Sequence, residues 1–418
     1  MLQSARNDRD PHVTSTSPAE TGVDSSYAWM RLTAAMVLGT VSSVGMWSVP
    51  VALPAVQADF GISRGAASVP FTFAMMGFAL GGVVMGRLSD RHGILPPVAA
   101  GTAAIGLGYV AAGFSTNLWL FALAYALIGF GTSATFGPMM ADLSQWFTRR
   151  RGIAVAVASS GNYVAGTIWP PVIEHFIARD GWSATHIGIG LFCAVATLPL
   201  LLALRRKTPA HAAGDGASVT AAQGSLGISP NALQTLLCVA GLACCVAMSM
   251  PQVHIVAYCG ELGFGPARGA EMLSVMLGFG IISRLATGVI ADRAGGVATL
   301  LLGSTLQGVA LLLYLFFDGL TSLYVISALF GLFQGGIVPS YAIIIREYFP
   351  PREAGTRIGL VIMATLFGMA LGGWMSGAIF DFAGSYRAAF ANGLAWNLLN
   401  VTIATWLLLR TARKMAFA

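Results

Sequence analysis

Long apolar stretches recur along this chain with a regularity that leaves few folds open. A bilayer core roughly 30 Å thick is crossed by about 20 apolar residues in a helix. Twelve blocks of that size can be marked, near 30–55, 66–89, 95–114, 117–143, 151–177, 184–204, 230–258, 270–292, 296–317, 320–346, 355–380 and 386–409. Soluble domains are about a quarter charged, whereas only 10% of these residues carry charge and 56% are hydrophobic. The pattern excludes a water-soluble enzyme, a disordered chain and a secreted disulfide scaffold. It predicts an all-α membrane protein of twelve transmembrane helices.

Polar segments divide these blocks. A polar tail, 1–28, precedes a first set of six, 29–204. A linker, 205–229, separates it from a second set, 230–409, and a short tail, 410–418, follows. The tail before the first block carries Arg6 and Arg9 among acidic residues, and that block is too long for a removable signal peptide. With the N-terminus inside, 18 of the 23 Lys and Arg residues fall on the cytoplasmic side, including Arg149, Arg150, Arg151, Arg205, Arg206, Lys207, Arg346, Arg352, Arg357, Arg410, Arg413 and Lys414. Four fall outside (Arg64, Arg179, Arg268, Arg387), and Arg284 lies within a block. The positive-inside rule then puts both termini in the cytoplasm. The net charge of +6 thus reads as topology rather than as contact with nucleic acid. Cys193, Cys238, Cys244, Cys245 and Cys259 show no metal spacing and read as reduced packing residues. No phosphate loop, nucleotide-binding domain or metal cluster is visible, so neither a cofactor nor enzymatic or ATP-driven chemistry is expected.

The two sets repeat each other at an offset of 202 residues. Gly86-x-x-x-Asp90-Arg91-x-Gly93 returns as Gly288-x-x-x-Asp292-Arg293-x-Gly295, and Gly129, Phe147 and Gly166 return as Gly331, Phe349 and Gly368. A tandem six-helix unit with both copies starting inside is a parallel repeat about an axis along the membrane normal.

Twelve blocks, the repeat and Gly86–Gly93 between the second and third blocks resemble the major facilitator superfamily. Within it, three segments resemble the monocarboxylate transporter group and its bacterial oxalate/formate-type relatives. These are Trp146–Ala154 followed by Gly161, Gly166 and Pro170; Pro251-Gln252-Val253-His254 with Tyr258; and Ser283–Gly288, whose Arg284 matches the group's carboxylate-binding arginine. The resemblance implies alternating access in the cell (inner or plasma) membrane. Its implied cargo is a small organic monocarboxylate, moved with a proton by a protein that functions as a monomer. Departures are visible. Ile94-Leu95-Pro96-Pro97 stands where the loop motif continues with basic residues, and Gly280 where animal members often have an acid. The group's first-block lysine has no counterpart, and Thr365 stands at the oxalate relative's second cation. A single cavity cation favours a monoanion over a dianion.

Arg284 sits nine residues before Arg293, so about 13 Å into the membrane. There it needs water, an anion or a partner, since it cannot shed its proton. Gly280 and Gly288, four residues either side, would leave room beside the guanidinium for a carboxylate, with Leu277 as an apolar wall. The alternative is pairing with carbonyls or a distant carboxylate. Gln334, Tyr341, Tyr125 and Asn162 are candidate hydrogen-bonders to the substrate, and Trp47 a candidate wall, on the analogy that these helices line the cavity. His254 is a candidate proton carrier, with Glu271 and Asp59 as alternatives. Gly86, Asp90, Arg91, Gly93, Asp292 and Arg293 are expected to gate, Asp90 and Asp292 by holding the inner ends together. The pairs Gly77/Gly81, Gly82/Gly86, Gly368/Gly372 and Gly373/Gly377 are expected to let helices of the two sets slide. The competing functional classes are a proton-coupled exporter of hydrophobic compounds, an organic-anion exchanger and a non-transporting sensor.

Overall fold

The computed structural model describes residues 23–147, 150–206 and 228–417. The expected topogenic residues Arg6, Arg9, Arg149 and Lys207, and most of the expected linker, lie outside that range. So do the side chains of Arg151, Arg352, Arg413 and Lys414. Among the described residues the fold is helical without strands, and nine helical runs are long and apolar enough to cross a membrane. The helices before the linker are α1 (Ser26–Ser42), α2 (Val44–Phe60), α3 (Arg64–Ala67), α4 (Val69–His92), α5 (Leu95–Gly113), α6 (Leu118–Thr132), α7 (Gly137–Trp146) and α8 (Arg151–Ala203). After it come α9 (Pro230–Glu261), α10 (Pro266–Phe316), α11 (Leu320–Gln334), α12 (Ile337–Tyr348), α13 (Pro351–Ala383) and α14 (Tyr386–Phe417).

Glycine explains the two longest runs. α8 is broken at Gly181 (φ 82°, ψ 162°) and α10 at Gly295 (φ 80°, ψ 166°), in an extended positive-φ region that is essentially open only to glycine. Gly93, the repeat partner of Gly295, has φ 79°. The glycine that closes each copy of the loop motif is therefore required by the turn.

The repeat is visible in packing as well. A Cβ on Gly129 would strike the Ala74 carbonyl, and one on Gly331 would strike the Met276 carbonyl. Both glycines and both carbonyls are 202 residues apart, so one tight helix crossing is built twice. The fourth and tenth blocks are also broken at matching places, 133–136 and 335–336. In the second copy the cause is legible: Pro339 has no N–H to give the Gly335 carbonyl four residues earlier.

Packing between the two halves of the chain runs through α8 against α10, α4 and α3 against α13, and α2 against α9. α7 and α12, which lead to the end bearing both described termini, pack within their own halves. The halves are closed together at the end carrying Arg64.

Candidate functional site

At the closed end the Asp381 carboxylate of α13 accepts backbone N–H bonds from Arg64 (2.8 Å) and Gly65 (2.7 Å), at the start of α3. Arg64 donates from Nη1 to the Tyr386 hydroxyl (3.0 Å), lies over the rings of Phe380 and Tyr386, and reaches Glu261 at 3.6 Å. His254 is fully buried behind it. Its Nε2 lies 2.8 Å from the Gly373 carbonyl and its Nδ1 3.0 Å from the Tyr386 hydroxyl. A carbonyl can only accept, so Nε2 carries the hydrogen and Nδ1 accepts from Tyr386. Small residues permit the approach: a Cβ on Gly377 would come within 2.7 Å of the Arg64 carbonyl, and one on Gly373 within 2.9 Å of Phe71.

Away from that end, α10 carries Arg284, which is half-buried. Its Nη1 donates to the Ser159 carbonyl of α8 (3.1 Å), and its Nε donates, at 3.5 Å, to the Gly335 carbonyl orphaned by Pro339. The guanidinium lies 4.6 Å from the centroid of the Tyr163 ring. Among the described residues no carboxylate stands within 4.0 Å of it. Two buried polar atoms flank this crossing without a hydrogen-bond partner among the described residues, Ser283 Oγ and Gln334 Nε2. An unpaired buried donor costs about 1–3 kcal/mol, so a ligand bringing acceptors would satisfy groups that the protein leaves open.

The structure brings some expected residues to this place and not others. Gln334 adjoins it, beside Gly335, and its Oε1 accepts from Gln252 Nε2 (2.9 Å). Asn162 receives the Trp47 indole N–H at its Oδ1 (3.2 Å) and main-chain oxygen (3.1 Å). Tyr125 lies instead in a buried chain of the first half, between Ser48 (2.9 Å) and His186 (2.7 Å), with Tyr109 also on Ser48. Tyr341 donates to Asn400 (3.0 Å) inside the second half. Glu271 is held by Arg268 (2.9 Å) and by a short hydrogen bond from Tyr324, while Asp59 accepts from Trp182 Nε1 (3.1 Å).

The structure adds detail at three of the expected places. The space beside Gly280 is filled, because a Cβ there would overlap the Tyr163 ring; the space beside Gly288 is open. Asp90, Arg91, Asp292 and Arg293 are exposed and form no ion pair among the described residues. Instead Glu347 caps the second copy of the turn, accepting from Gly296 N–H (2.8 Å). Of the glycine pairs, Gly77 and Gly81 seat α6, Gly368 and Gly372 seat α9, and Gly82 and Gly86 meet nothing. Of these pairs, Gly373 and Gly377 contact the other half. Sequence reasoning missed Tyr163, the Arg64–Asp381 contact and a buried ion pair, Arg31 with Asp142 (2.8 and 2.9 Å).

A helical bundle built twice, closed at the Arg64 end and carrying Arg284 within one of its apolar runs, has the form of a multi-pass membrane protein. The sequence profile of the Major Facilitator Superfamily matches residues 35–322 and 281–417, and the chain belongs to that family. It therefore moves a small molecule across a membrane and is not an enzyme. Monocarboxylate transporter 13 of Bos taurus is 29% identical over 381 residues, covering 88% of this chain and 86% of that protein. Riboflavin transporter MCH5 of Saccharomyces cerevisiae is 25% identical over 405 residues, covering 90% and 77%. Among solved structures, a bacterial homologue of the human lysosomal transporter Spinster, in an inward-facing and occupied conformation, superposes with a TM-score of 0.67 at 14% identity, covering 93% of this chain and 96% of that one.

Proposed function

We propose that this chain is a secondary active transporter that carries a small organic monocarboxylate together with a proton by alternating access. The observation that carries the reading is Arg284: a cation inside the bundle whose partners are two carbonyls and an aromatic ring. Carbonyls and a ring hold a guanidinium without neutralising it, so its charge stays available to an anion. A carboxylate matches its planar fork in a bidentate pair. Gln334 and Ser283 supply further hydrogen bonds to the anion, and Tyr125, Tyr341 and Asn162 act through the helices they join.

His254 is the favoured proton carrier over Glu271 and Asp59, because it alone of the three hydrogen-bonds into the contact between the halves. The protein works as a monomer in the inner or plasma membrane with both termini cytoplasmic, so the Arg64 end faces outward. Counting each glycine-broken run as two crossings and adding α14 gives twelve, six on each side of the linker. Asp90, Arg91, Asp292 and Arg293, with the turns at Gly93 and Gly295 and the open face at Gly86, engage when the cytoplasmic end closes.

The test is uptake of labelled lactate, pyruvate and branched carboxylates into proteoliposomes, with and without an inward proton gradient. Gradient-stimulated, saturable uptake that Arg284→Ala abolishes is expected. Equal transport by Arg284→Ala, or no uptake of any carboxylate, refutes the reading.

A further inference from the structure

We infer that Tyr163 is a positioning residue of the transport site, holding the Arg284 fork in place through its ring. This rests on the reading of Arg284 as the carboxylate site. The guanidinium has five N–H donors in one rigid plane. Nε and Nη1 are each tied to one carbonyl, and the ring centroid of Tyr163 lies 4.6 Å from Cζ. Two hydrogen bonds and a ring facing the guanidinium carbon hold the fork in position. The bonds to Gly335 and Ser159 use two donors and leave three, including both on Nη2, for an anion.

The ring is admitted by a specific absence. At Gly280, one turn before Arg284, a Cβ would overlap Cε1 and Cδ1 of Tyr163. Gly280, Tyr163 and Arg284 are thus one unit, contributed by α10 and α8 from opposite halves. An aromatic partner also differs chemically from an acidic one. It stabilises the cation through the ring quadrupole while leaving its full charge to attract substrate.

The repeat separates this contact from architecture. Features that build the fold occur in both copies, as the crossing at Gly129 and Gly331 does. At the 202-residue offset Arg284 corresponds to Gly82, Tyr163 to Thr365 and Gly280 to Phe78. The equivalent pair of helices, α4 and α13, packs with no cation at the arginine position and a threonine at the tyrosine position, its one ring being Phe78 in place of Gly280, so the fold does not require a cation–ring contact there.

The experiment uses the full chain in proteoliposomes with labelled lactate and pyruvate, each variant also checked for its unfolding temperature in detergent. Tyr163→Leu should raise KM about 3- to 20-fold, the range of one partly desolvated cation–ring contact, with the maximal rate within about two-fold of the parent. Tyr163→Phe, which keeps the ring, should stay within about two-fold in both. Gly280→Ala should push the ring aside and reproduce the KM of Tyr163→Leu, yet add nothing in the Tyr163→Leu background. A Tyr163→Leu protein with parental KM overturns the inference, as does one that loses only maximal rate. So does an additive double variant. If Tyr163→Leu does not fold, Gly280→Ala against Tyr163→Phe decides by the same KM comparison. Arg284→Ala is run alongside: loss of uptake there with unchanged Tyr163→Leu refutes the role of Tyr163 alone, whereas parental uptake by Arg284→Ala refutes the carboxylate reading beneath it.

Discussion

Replacing Asp381 by Asn should loosen the closed end, and the structure sets the size of the effect. Its two oxygens accept the N–H groups of Arg64 and Gly65 at 2.8 and 2.7 Å, so the carboxylate caps the first turn of a helix belonging to the other half. An amide keeps one acceptor, turns the second into a donor facing an N–H, and removes the charge that favours a helix N-terminus. Because Asp381 is solvent-exposed, the ordinary range for an N-terminal cap applies, about 1–2 kcal/mol. That energy acts only while the halves touch here, so the ratio of closed to open molecules should fall roughly 5- to 30-fold. Spin labels at Gln57 and Gly260, which line the same outer cleft from the two halves, report the change as a longer-distance population in a cysteine-free background. Gly377→Val gives an independent lever, since its side chain would be driven into the Arg64 backbone, and it should lengthen the same distance. Distance distributions that stay parental in both variants would show that this contact does not hold the end shut.

Other expectations follow from single contacts. Arg284→Lys should transport poorly although it keeps the charge, because lysine cannot hold two carbonyls and present a planar fork; a KM within about two-fold of the parent would contradict this. His254→Gln keeps one donor and one acceptor for Gly373 and Tyr386 but cannot take up a second proton. It should lose gradient-driven uptake while retaining counterflow, and unchanged gradient dependence would move the proton elsewhere. Asp142→Asn leaves the fully buried Arg31 with an uncharged partner and should cost about 3–5 kcal/mol of stability, seen as a lower unfolding temperature in detergent. The second copy supplies the repair. Arg31 and Asp142 correspond to Leu233 and Ile344, both buried, so Arg31→Leu with Asp142→Ile together should recover most of that loss. Double-variant stability no better than that of Asp142→Asn would refute the equivalence.

Much of the fold is written locally and could be read directly. Apolar runs mark the helices, and Gly93 and Gly295 announce positive-φ turns by recurring in register. Arg284 stood out because a cation in an apolar helix is costly. What escaped was every partner chosen by tertiary approach. Asp142 lies 111 residues from Arg31, and Tyr386 lies 132 from His254. Arg64 was counted as one of four outer-loop cations, although its backbone and side chain both bridge the halves. The glycines around Arg284 signalled space, but a tyrosine in an apolar helix carries no mark showing that it fills that space.

The repeat then becomes a tool for sorting these contacts. Two copies under one architecture must share what the fold needs: the tight crossing at Gly129 and Gly331, the glycine turns, the broken fourth and tenth blocks. The proposed monocarboxylate calls for the opposite, because it has one charged end and would meet an asymmetric site. The polar contacts at the candidate site and the outer lock fall where the copies differ, Arg284 against Gly82, Tyr163 against Thr365, His254 against Ala52 and Asp381 against Arg179. The Arg31–Asp142 pair also differs between copies, yet its counterpart is plain hydrocarbon in the same buried place. A difference alone therefore does not mark function. The discriminating feature is whether the contact joins the two halves: Arg284 with Tyr163 and Arg64 with Asp381 do, and Arg31 with Asp142 lies within one half. Under the proposed alternating access, contacts of the joining kind are made and broken as the halves rock, and His254 reaches one of them through Tyr386, which accepts from Arg64.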